Sequence, residues 1–281
     1  MDETPVAETR PRLIYRHRLP TRIWHWSNAL AVFVMLMSGL MIFNAHPRLY
    51  WGSYGANSDY AWLQIGATQT SGYLRVGSIE IPTTGVLGRW TDDAGNTINR
   101  AFPGWATIPS SYNLAMARRW HLTFAWLFAF GLLFYMIASL FNRHIQRDLS
   151  LTRDEVRARR IWEDIKAHAR LRFHNPARPA AYNVLQKFSY IGVIFILIPV
   201  VILTGLTMSP NMDAAWPWLV DIFGGRQSAR SIHFLCAAGL AGFIVVHVLL
   251  VVLAGPVNEL RSMITGWFRL PPRDVMRETV E

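Results

Sequence analysis

Long apolar stretches dominate the pattern of this chain. Four of them contain no Asp, Glu, Lys or Arg, and they cover residues 23–45, 120–142, 188–208 and 231–258. Each is long enough for the roughly 20 helical residues that cross a hydrocarbon layer of about 30 Å. The pattern predicts four transmembrane helices, at about residues 22–45, 118–142, 183–208 and 229–254.

The segments between these helices have patterns of their own. Residues 46–117, the cap segment, are rich in Pro, Gly, Trp and Tyr, and Asp93, Gly95 and Asn96 provide turn chemistry for a predicted hairpin. We therefore expect an ordered cap rather than a disordered loop. Residues 152–172 place apolar side chains near helical spacing among many charges, which predicts an amphipathic helix at the membrane surface.

Basic residues indicate the orientation. Residues 1–22 contain five Arg, residues 143–181 contain ten Lys or Arg against five acidic residues, and the tail after Pro256 contains four Arg. Because short basic segments stay in the cytoplasm, both termini and the segment 143–181 are predicted to be cytoplasmic and the cap segment extracytoplasmic. A basic rim beside anionic lipid explains the formal charge of +10 without a nucleic-acid partner.

Composition agrees with a membrane protein. Hydrophobic residues make up 52% of the chain and charged residues only 16%, against about 25% charged in ordinary soluble domains. The predicted fold class is an all-α membrane protein, a single four-transmembrane-helix bundle with a long extracytoplasmic loop between helices 1 and 2. One cysteine, Cys236, is too few for a disulfide framework, a c-type haem attachment site or an iron–sulfur cluster.

Four of the nine histidines lie in or at the edge of the apolar windows. His233 and His247 are fourteen residues apart, which in a helix separates them by ~21 Å along the axis and turns them only ~40° out of line. His121 opens the second helix on the outer side, and His25 opens the first on the inner side. The imidazoles therefore form an outer pair, His121 with His233, and an inner pair, His25 with His247.

Strongly polar side chains are costly in lipid and normally mark a site. Two neutral imidazoles from different helices supply the two axial ligands of a b-type haem iron, each through a ring-nitrogen lone pair. Two alternatives remain open on the residues alone. One is a haem-free membrane anchor whose histidines bond neighbouring carbonyls. The other is a metal-ion transporter, although such sites gather their ligands at one level, often with carboxylates or thiols.

Several segments resemble a known family, the di-haem cytochrome b membrane subunits of bacterial formate dehydrogenases, nickel–iron hydrogenases and thiosulfate reductases. The segments of this chain that carry the resemblance are RHRLPTRIWHWSNALAVFVMLMSGLMIFNAHP, RRWHLTFAWLF, YNVLQK, GGRQSARSIHF and GPVNELRSMITG. The resemblance covers nearly the whole chain. It implies two haem b groups, an inner one held by His25 and His247 and an outer one held by His121 and His233, which is the pairing that depth predicts.

The resemblance also implies residues for a quinone and for the haem propionates. Beside the start of the third helix, Asn183, Gln186 and Lys187 would hydrogen-bond the quinone carbonyls and relay protons. Arg119 and Arg230 lie at levels suited to haem propionates, where a guanidinium offers bidentate pairing. By residue type alone, Asn183 and Gln186 also fit plain surface polarity, and Lys187 also fits a side chain that snorkels to the membrane interface. The arginines also fit lipid headgroup anchors.

Taken together, the sequence predicts a di-haem b-type cytochrome of the bacterial inner membrane. The resemblance implies that it carries electrons between the membrane quinone pool and an extracytoplasmic oxidoreductase partner, for which a molybdenum enzyme is one candidate. No residue of this chain is predicted to act on the partner's substrate.

Overall fold

The computed structural model describes residues 13–141, 150–170 and 183–270. Within them lie four helices long and apolar enough to cross a membrane: Leu19–Phe43 (α1), Leu114–Phe141 (α2), Val184–Thr207 and Arg226–Ala254 (α8). They coincide with the four apolar windows, so the prediction of four such helices is confirmed. Of the predicted cytoplasmic segment, residues 143–149 and 171–181 lie outside the described residues.

The third of these helices is not uniform. It consists of Val184–Ile191 (α4), a π-helical turn at Gly192–Leu197 and Ile198–Thr207 (α5). Two short helices, Pro210–Ala215 (α6) and Pro217–Ile222 (α7), come between α5 and α8. Pro199 lies in the first turn of α5. Proline has no N–H to donate within a helix, and its ring clashes with the carbonyl four residues earlier. The wider turn directly before it accommodates both effects.

Contacts divide the chain into two compact units. The first unit contains residues 1–26, 134–193 and 243–281, and the second contains residues 27–133 and 194–242. Each of the four long helices contributes one end to each unit. His25 and His247 belong to the first unit, and His121 and His233 belong to the second.

The first unit contains a small two-stranded sheet. Strand Leu13–Tyr15 (β1) runs antiparallel to Trp267–Arg269 (β8), which follows the helix Pro256–Thr265 (α9). Gly266, with φ of 89°, must be glycine because a Cβ there would lie 2.8 Å from the carbonyl oxygen of His17. An amphipathic helix, Ala158–Ala169 (α3), lies within the stretch predicted to form one.

The cap segment in the second unit is built from β-strands. Its main sheet has the antiparallel order β2-β3-β4-β5, formed by Arg48–Leu49, Leu63–Ala67, Gly72–Val76 and Ile79–Pro82. A separate hairpin pairs Gly88–Thr91 (β6) with Thr97–Arg100 (β7), as the turn residues predict. In that turn the acceptor is Asp92, whose Oδ1 accepts from the backbone N–H groups of Ala94 and Asn96.

These strands correct the predicted all-α class, because the fold is mostly helical with an added β-rich segment. The physical reason is location. Backbone groups inside a membrane-spanning segment must be satisfied within their own helix, whereas a segment outside the hydrocarbon is free to pair its strands. Apolar residues of the cap segment, among them Leu49 and Ile65, form a buried core together with Phe43 at the end of α1.

Candidate functional site

The outer histidine pair lies in the second unit. His121 is in the third turn of α2, and His233 is in the third turn of α8. Their ring centroids are 6.2 Å apart, and the ring planes are inclined at 59°. Both side chains are half-buried. The structure thus brings together the two residues that helix depth paired in the sequence.

Hydrogen bonds fix the protonation of both outer imidazoles. The Nδ1 atom of His121 lies 3.1 Å from the carbonyl oxygen of Met35, and that of His233 lies 2.9 Å from the carbonyl oxygen of Val201. A carbonyl oxygen only accepts, so Nδ1 carries the proton in both rings. In the neutral imidazole, Nε2 therefore keeps its lone pair, and this is the form of histidine that ligates a metal.

A hydroxyl group supports each of these imidazoles in the same way. Ser38 Oγ and Thr204 Oγ1 each lie 3.2 Å from the Nδ1 of His121 and His233, respectively. Each hydroxyl donates its own hydrogen over 2.7 Å to the carbonyl four residues earlier in its helix. Its lone pairs therefore remain to accept from the imidazole. Both side chains are 0% exposed.

A glycine follows each of these hydroxyl residues and faces the same ring. A Cβ on Gly39 would lie 3.4 Å from Cε1 of His121, and one on Gly205 would lie 3.3 Å from Cε1 of His233. The absent side chains let each imidazole pack closely against the neighbouring helix.

Gly205→Ala is expected to weaken cofactor retention at the outer pair several-fold, because the added methyl group forces His233 to move by a few tenths of an ångström. Gly242→Ala on α8 is the matched control, since nothing lies within 4 Å of a Cβ at that position. The measurement is the rate at which bound haem transfers to an apo-globin acceptor. Equal rates in the two variants would contradict the packing argument.

The inner pair lies in the first unit and repeats the spacing. The ring centroids of His25 and His247 are 6.2 Å apart, with an interplanar angle of 57°. Phe243 stacks on His247 at 5.8 Å, and Trp26 meets His25 edge-on at 5.2 Å. The Nδ1 atom of His25 is buried, and it has no hydrogen-bond partner within the described residues.

Both pairs have the dimensions of a bis-histidine iron site. A bond of about 2 Å between a metal and an imidazole nitrogen, plus about 1 Å from nitrogen to ring centre, gives about 6 Å between two rings on opposite sides of one ion. Both observed separations are 6.2 Å. The free Nε2 lone pairs at the outer site and the glycines beside its imidazoles fit the same group.

Within residues 13–141, 150–170 and 183–270, no group of three or more His, Cys, Asp or Glu side chains comes together. A transport site for zinc or copper normally needs such a group.

The structure places the two candidate propionate residues differently. Arg119 is exposed near the start of α2, with no hydrogen bond within the described residues. Arg230 is half-buried, donates over 2.5 Å to the carbonyl oxygen of His46 and lies 5.7 Å from the ring of Phe43. The guanidinium of Arg230 therefore already holds the start of the cap segment, whereas that of Arg119 is open to a ligand.

The candidate quinone residues form the start of α4. Asn183 Oδ1 accepts from the backbone N–H of Gln186 at 2.8 Å, and Gln186 Oε1 accepts from the backbone N–H of Asn183 at 3.2 Å. This reciprocal capping box satisfies two backbone donors at the helix start. Lys187 Nζ donates over 2.8 Å to Glu155 and over 3.1 Å to the carbonyl oxygen of Ser150.

The Lys187 contact also affects its acidic partner. Burial raises the pKa of Glu155. The hydrogen bonds and the charge of Lys187, together with hydrogen bonds from Thr152, have the opposite effect and outweigh burial, so the pKa is lowered overall. The carboxylate is therefore ionised at neutral pH, and the ammonium group of Lys187 is committed to an ion pair. Sequence reasoning did not find this partner.

The cap segment is bonded directly to the beginning of α8. The carbonyl oxygen of Gly52 accepts from the backbone N–H groups of Gln227 and Ser228 at 3.0 and 3.1 Å. Trp62 Nε1 donates over 2.9 Å to Ser231 Oγ, two residues before His233. The first turns of α8, which lead to His233, are thus held in place by the segment between α1 and α2.

Sequence reasoning missed four residues at the outer site: Ser38, Gly39, Thr204 and Gly205. A signal for them was present. Two otherwise apolar helices each contain a hydroxyl residue followed by glycine and leucine, in MSGL and LTGL. A polar residue beside glycine at matching places in two transmembrane helices indicates a close approach that needs a hydrogen bond.

Comparisons with known proteins agree with this site. The family model for prokaryotic cytochrome b561 matches residues 16–266. The putative protein-methionine-sulfoxide reductase subunit YedZ1 of Azospira oryzae is 25% identical over 248 residues, 87% of this chain and 93% of that protein. The probable Ni/Fe-hydrogenase B-type cytochrome subunit of Cupriavidus necator is 22% identical over 280 residues, covering 95% and 91%.

A similar hydrogenase cytochrome subunit from Azotobacter vinelandii is 22% identical over 266 residues, 90% of this chain and 88% of that protein. No solved structure matches the chain significantly. The match to the family model covers most of the chain, and its range includes all four histidines. This chain belongs to the prokaryotic cytochrome b561 family, and it is a multi-pass bacterial membrane protein of the kind that carries haem b.

Proposed function

We propose that this protein is the electron-transfer subunit of a membrane oxidoreductase, with one haem b at each histidine pair. The observation that supports this most directly is the repeated 6.2 Å separation of two imidazoles. When bound, haem supplies reversible one-electron exchange between ferric and ferrous iron. The four histidines would hold the two irons, while Ser38 and Thr204 orient the outer rings and keep their Nε2 lone pairs directed away from the supporting helices.

The proposed partner is an extracytoplasmic oxidoreductase that docks on the cap segment. Relatives of this chain are named as subunits of a nickel–iron hydrogenase and of a methionine-sulfoxide reductase, which supports a partner of this general class. A molybdenum enzyme remains one candidate. The bonds from Gly52 and Trp62 to α8 would connect the docking segment with the turn that carries His233.

The proposed orientation follows the distribution of basic residues, with both termini in the cytoplasm of a bacterial inner membrane. Quinone would then exchange electrons at the cytoplasmic end, beside the start of α4. Gln186 is the most suitable donor there, because only its Oε1 is used in the capping box and its Nε2 has no hydrogen bond within the described residues. A role for Lys187 would require its ion pair with Glu155 to open.

Gln186→Glu is expected to slow quinone turnover several-fold with haem content unchanged. Glutamate keeps the acceptor that the capping box needs but lacks the amide donor for a quinone carbonyl. Steady-state reduction of a soluble quinone analogue measures the effect. Gln186→Ala is the comparison, because it also removes the cap and should cost about 1 kcal/mol of stability. Wild-type turnover in Gln186→Glu would remove this residue from the quinone site.

A reduced-minus-oxidised visible spectrum of the purified protein tests the proposed function as a whole. We expect a low-spin b-type signal and about two haems per chain. A folded protein without colour would instead support a haem-free anchor. A bound metal other than iron would support a transporter.

A further inference from the structure

The two histidine pairs differ in how their imidazoles are hydrogen-bonded. At the outer pair, each Nδ1 donates to a backbone carbonyl and to a hydroxyl oxygen. At the inner pair, the buried Nδ1 of His25 has no partner, and no hydrogen bond reaches the ring of His247, within the part of the chain that the structure describes. The inner rings instead contact the aromatic side chains of Trp26 and Phe243.

This difference has a direct effect on a bound iron. An imidazole that donates from Nδ1 to an acceptor becomes a more basic ligand through its other nitrogen. A more basic axial ligand stabilises ferric iron more than ferrous iron, so it lowers the reduction potential. Hydrogen bonding around the axial ligands is one of the main means by which a protein sets the potential of its haem.

We propose that Ser38 and Thr204 are positioning residues that make the His121–His233 site the lower-potential site of the two. The inference rests on the proposed function, since it assumes one haem at each pair. With one haem held by His121 and His233 and another by His25 and His247, one-electron transfer would be favourable from the outer pair to the inner pair, because electrons pass from lower to higher potential. The reduced redox centre of the partner supplies these electrons, and quinone takes up two of them with two protons to form quinol. The chain therefore favours electron transfer from the partner's reduced centre to quinone.

The two outer imidazoles are hydrogen-bonded in the same way, which strengthens the inference. Ser38 and Thr204 lie on different helices, yet each donates to the carbonyl four residues earlier and accepts from one ligand imidazole. Both ligands of the same iron are thus made more basic, and the two effects act in one direction.

Potentiometric titration of the intact protein, followed by the b-type absorbance, tests the proposal. Two waves are expected in the wild type. Thr204→Val keeps the shape of the side chain and every charge, but removes the hydroxyl acceptor, so it should shift only the lower wave to higher potential. Thr204→Ser should restore the wild-type wave. Thr207→Val is the matched control, because Thr207 is also buried and its hydroxyl donates only to the carbonyl of Thr204.

Ser38→Ala removes the corresponding hydroxyl group from beside His121. The wave of the outer site can therefore still be identified if Thr204→Val loses its haem. A shift confined to the higher wave would overturn the proposal, and so would a shift equal to that of Thr207→Val. Two bound haems with an unchanged lower wave in both hydroxyl variants would refute this inference and leave the proposed function standing. Absence of haem from the wild type would refute the proposed function itself.

Discussion

His233→Ala is expected to lose the outer haem and to keep the inner one. In the proposed assignment, His121 and His233 would hold the outer iron, and the structure places no other histidine ring against either of them among the described residues. The inner ligands belong to the other compact unit and rely on different contacts. Haem content per chain should therefore fall by about half, with a normal low-spin spectrum from the remainder.

The control for this variant is His46→Ala. His46, like His233, lies outside the inner pair. Its Nε2 forms a hydrogen bond of 3.1 Å with the Tyr50 hydroxyl, and its ring stacks on that of Tyr50. It should retain both haems. His247→Ala should give the complementary result, with the outer haem kept and the inner one lost. Full haem content in His233→Ala would refute the assignment of ligands.

Glu259→Gln is expected to destabilise the protein by about 3 kcal/mol, because it leaves a nearly buried guanidinium without its counter-charge. Arg16 and Glu259 approach to 3.3 Å, and their side chains are only 9% and 18% exposed. Arg16 also lies 4.7 Å from the ring of Phe268, so the pair connects β1, α9 and β8. Thermal unfolding in detergent should show a midpoint lower by several degrees.

Glu163→Gln is the matched control for the ion pair. Glu163 bonds Arg159 and Arg160, but those side chains are 91% and 57% exposed, so the solvent screens the interaction. Its loss should lower the unfolding midpoint far less than loss of the Arg16–Glu259 pair does. Equal effects of the two substitutions would show that burial does not determine the strength of the Arg16–Glu259 pair.

The sequence was sufficient for features that depend on local pattern. Hydropathy located the four long helices because each must present apolar side chains to lipid along its whole length. The fourteen-residue interval between His233 and His247 assigned them to two levels, because the period of the helix is fixed. The residues of the cap segment indicated a hairpin, although Asp92 rather than Asp93 accepts the turn hydrogen bonds.

Apart from the two histidine pairs, features that depend on one helix meeting another were not predicted. Ser38 and Thr204 look like ordinary hydroxyl residues in apolar helices until Met35 and Val201 are found beside the imidazoles. The ion pair of Lys187 joins residues 32 positions apart, and nothing in the local pattern selects Glu155 among the nearby acids. The strands of the cap segment were expected only in part, because short strands depend on their partners more than on their own residues.

The sequence by itself thus determined which helices are long enough to cross a membrane, which histidines share a depth, and where the chain leaves the apolar region. These properties follow from the hydropathy of each segment and from the period of the helix. Both depend only on the order of residues along a short stretch of chain. Only the tertiary structure decided that the outer imidazoles donate to hydroxyl and carbonyl groups while the inner ones contact aromatic rings. Hydrogen bonds between helices depend on distances of a few tenths of an ångström, and those are set by packing in three dimensions.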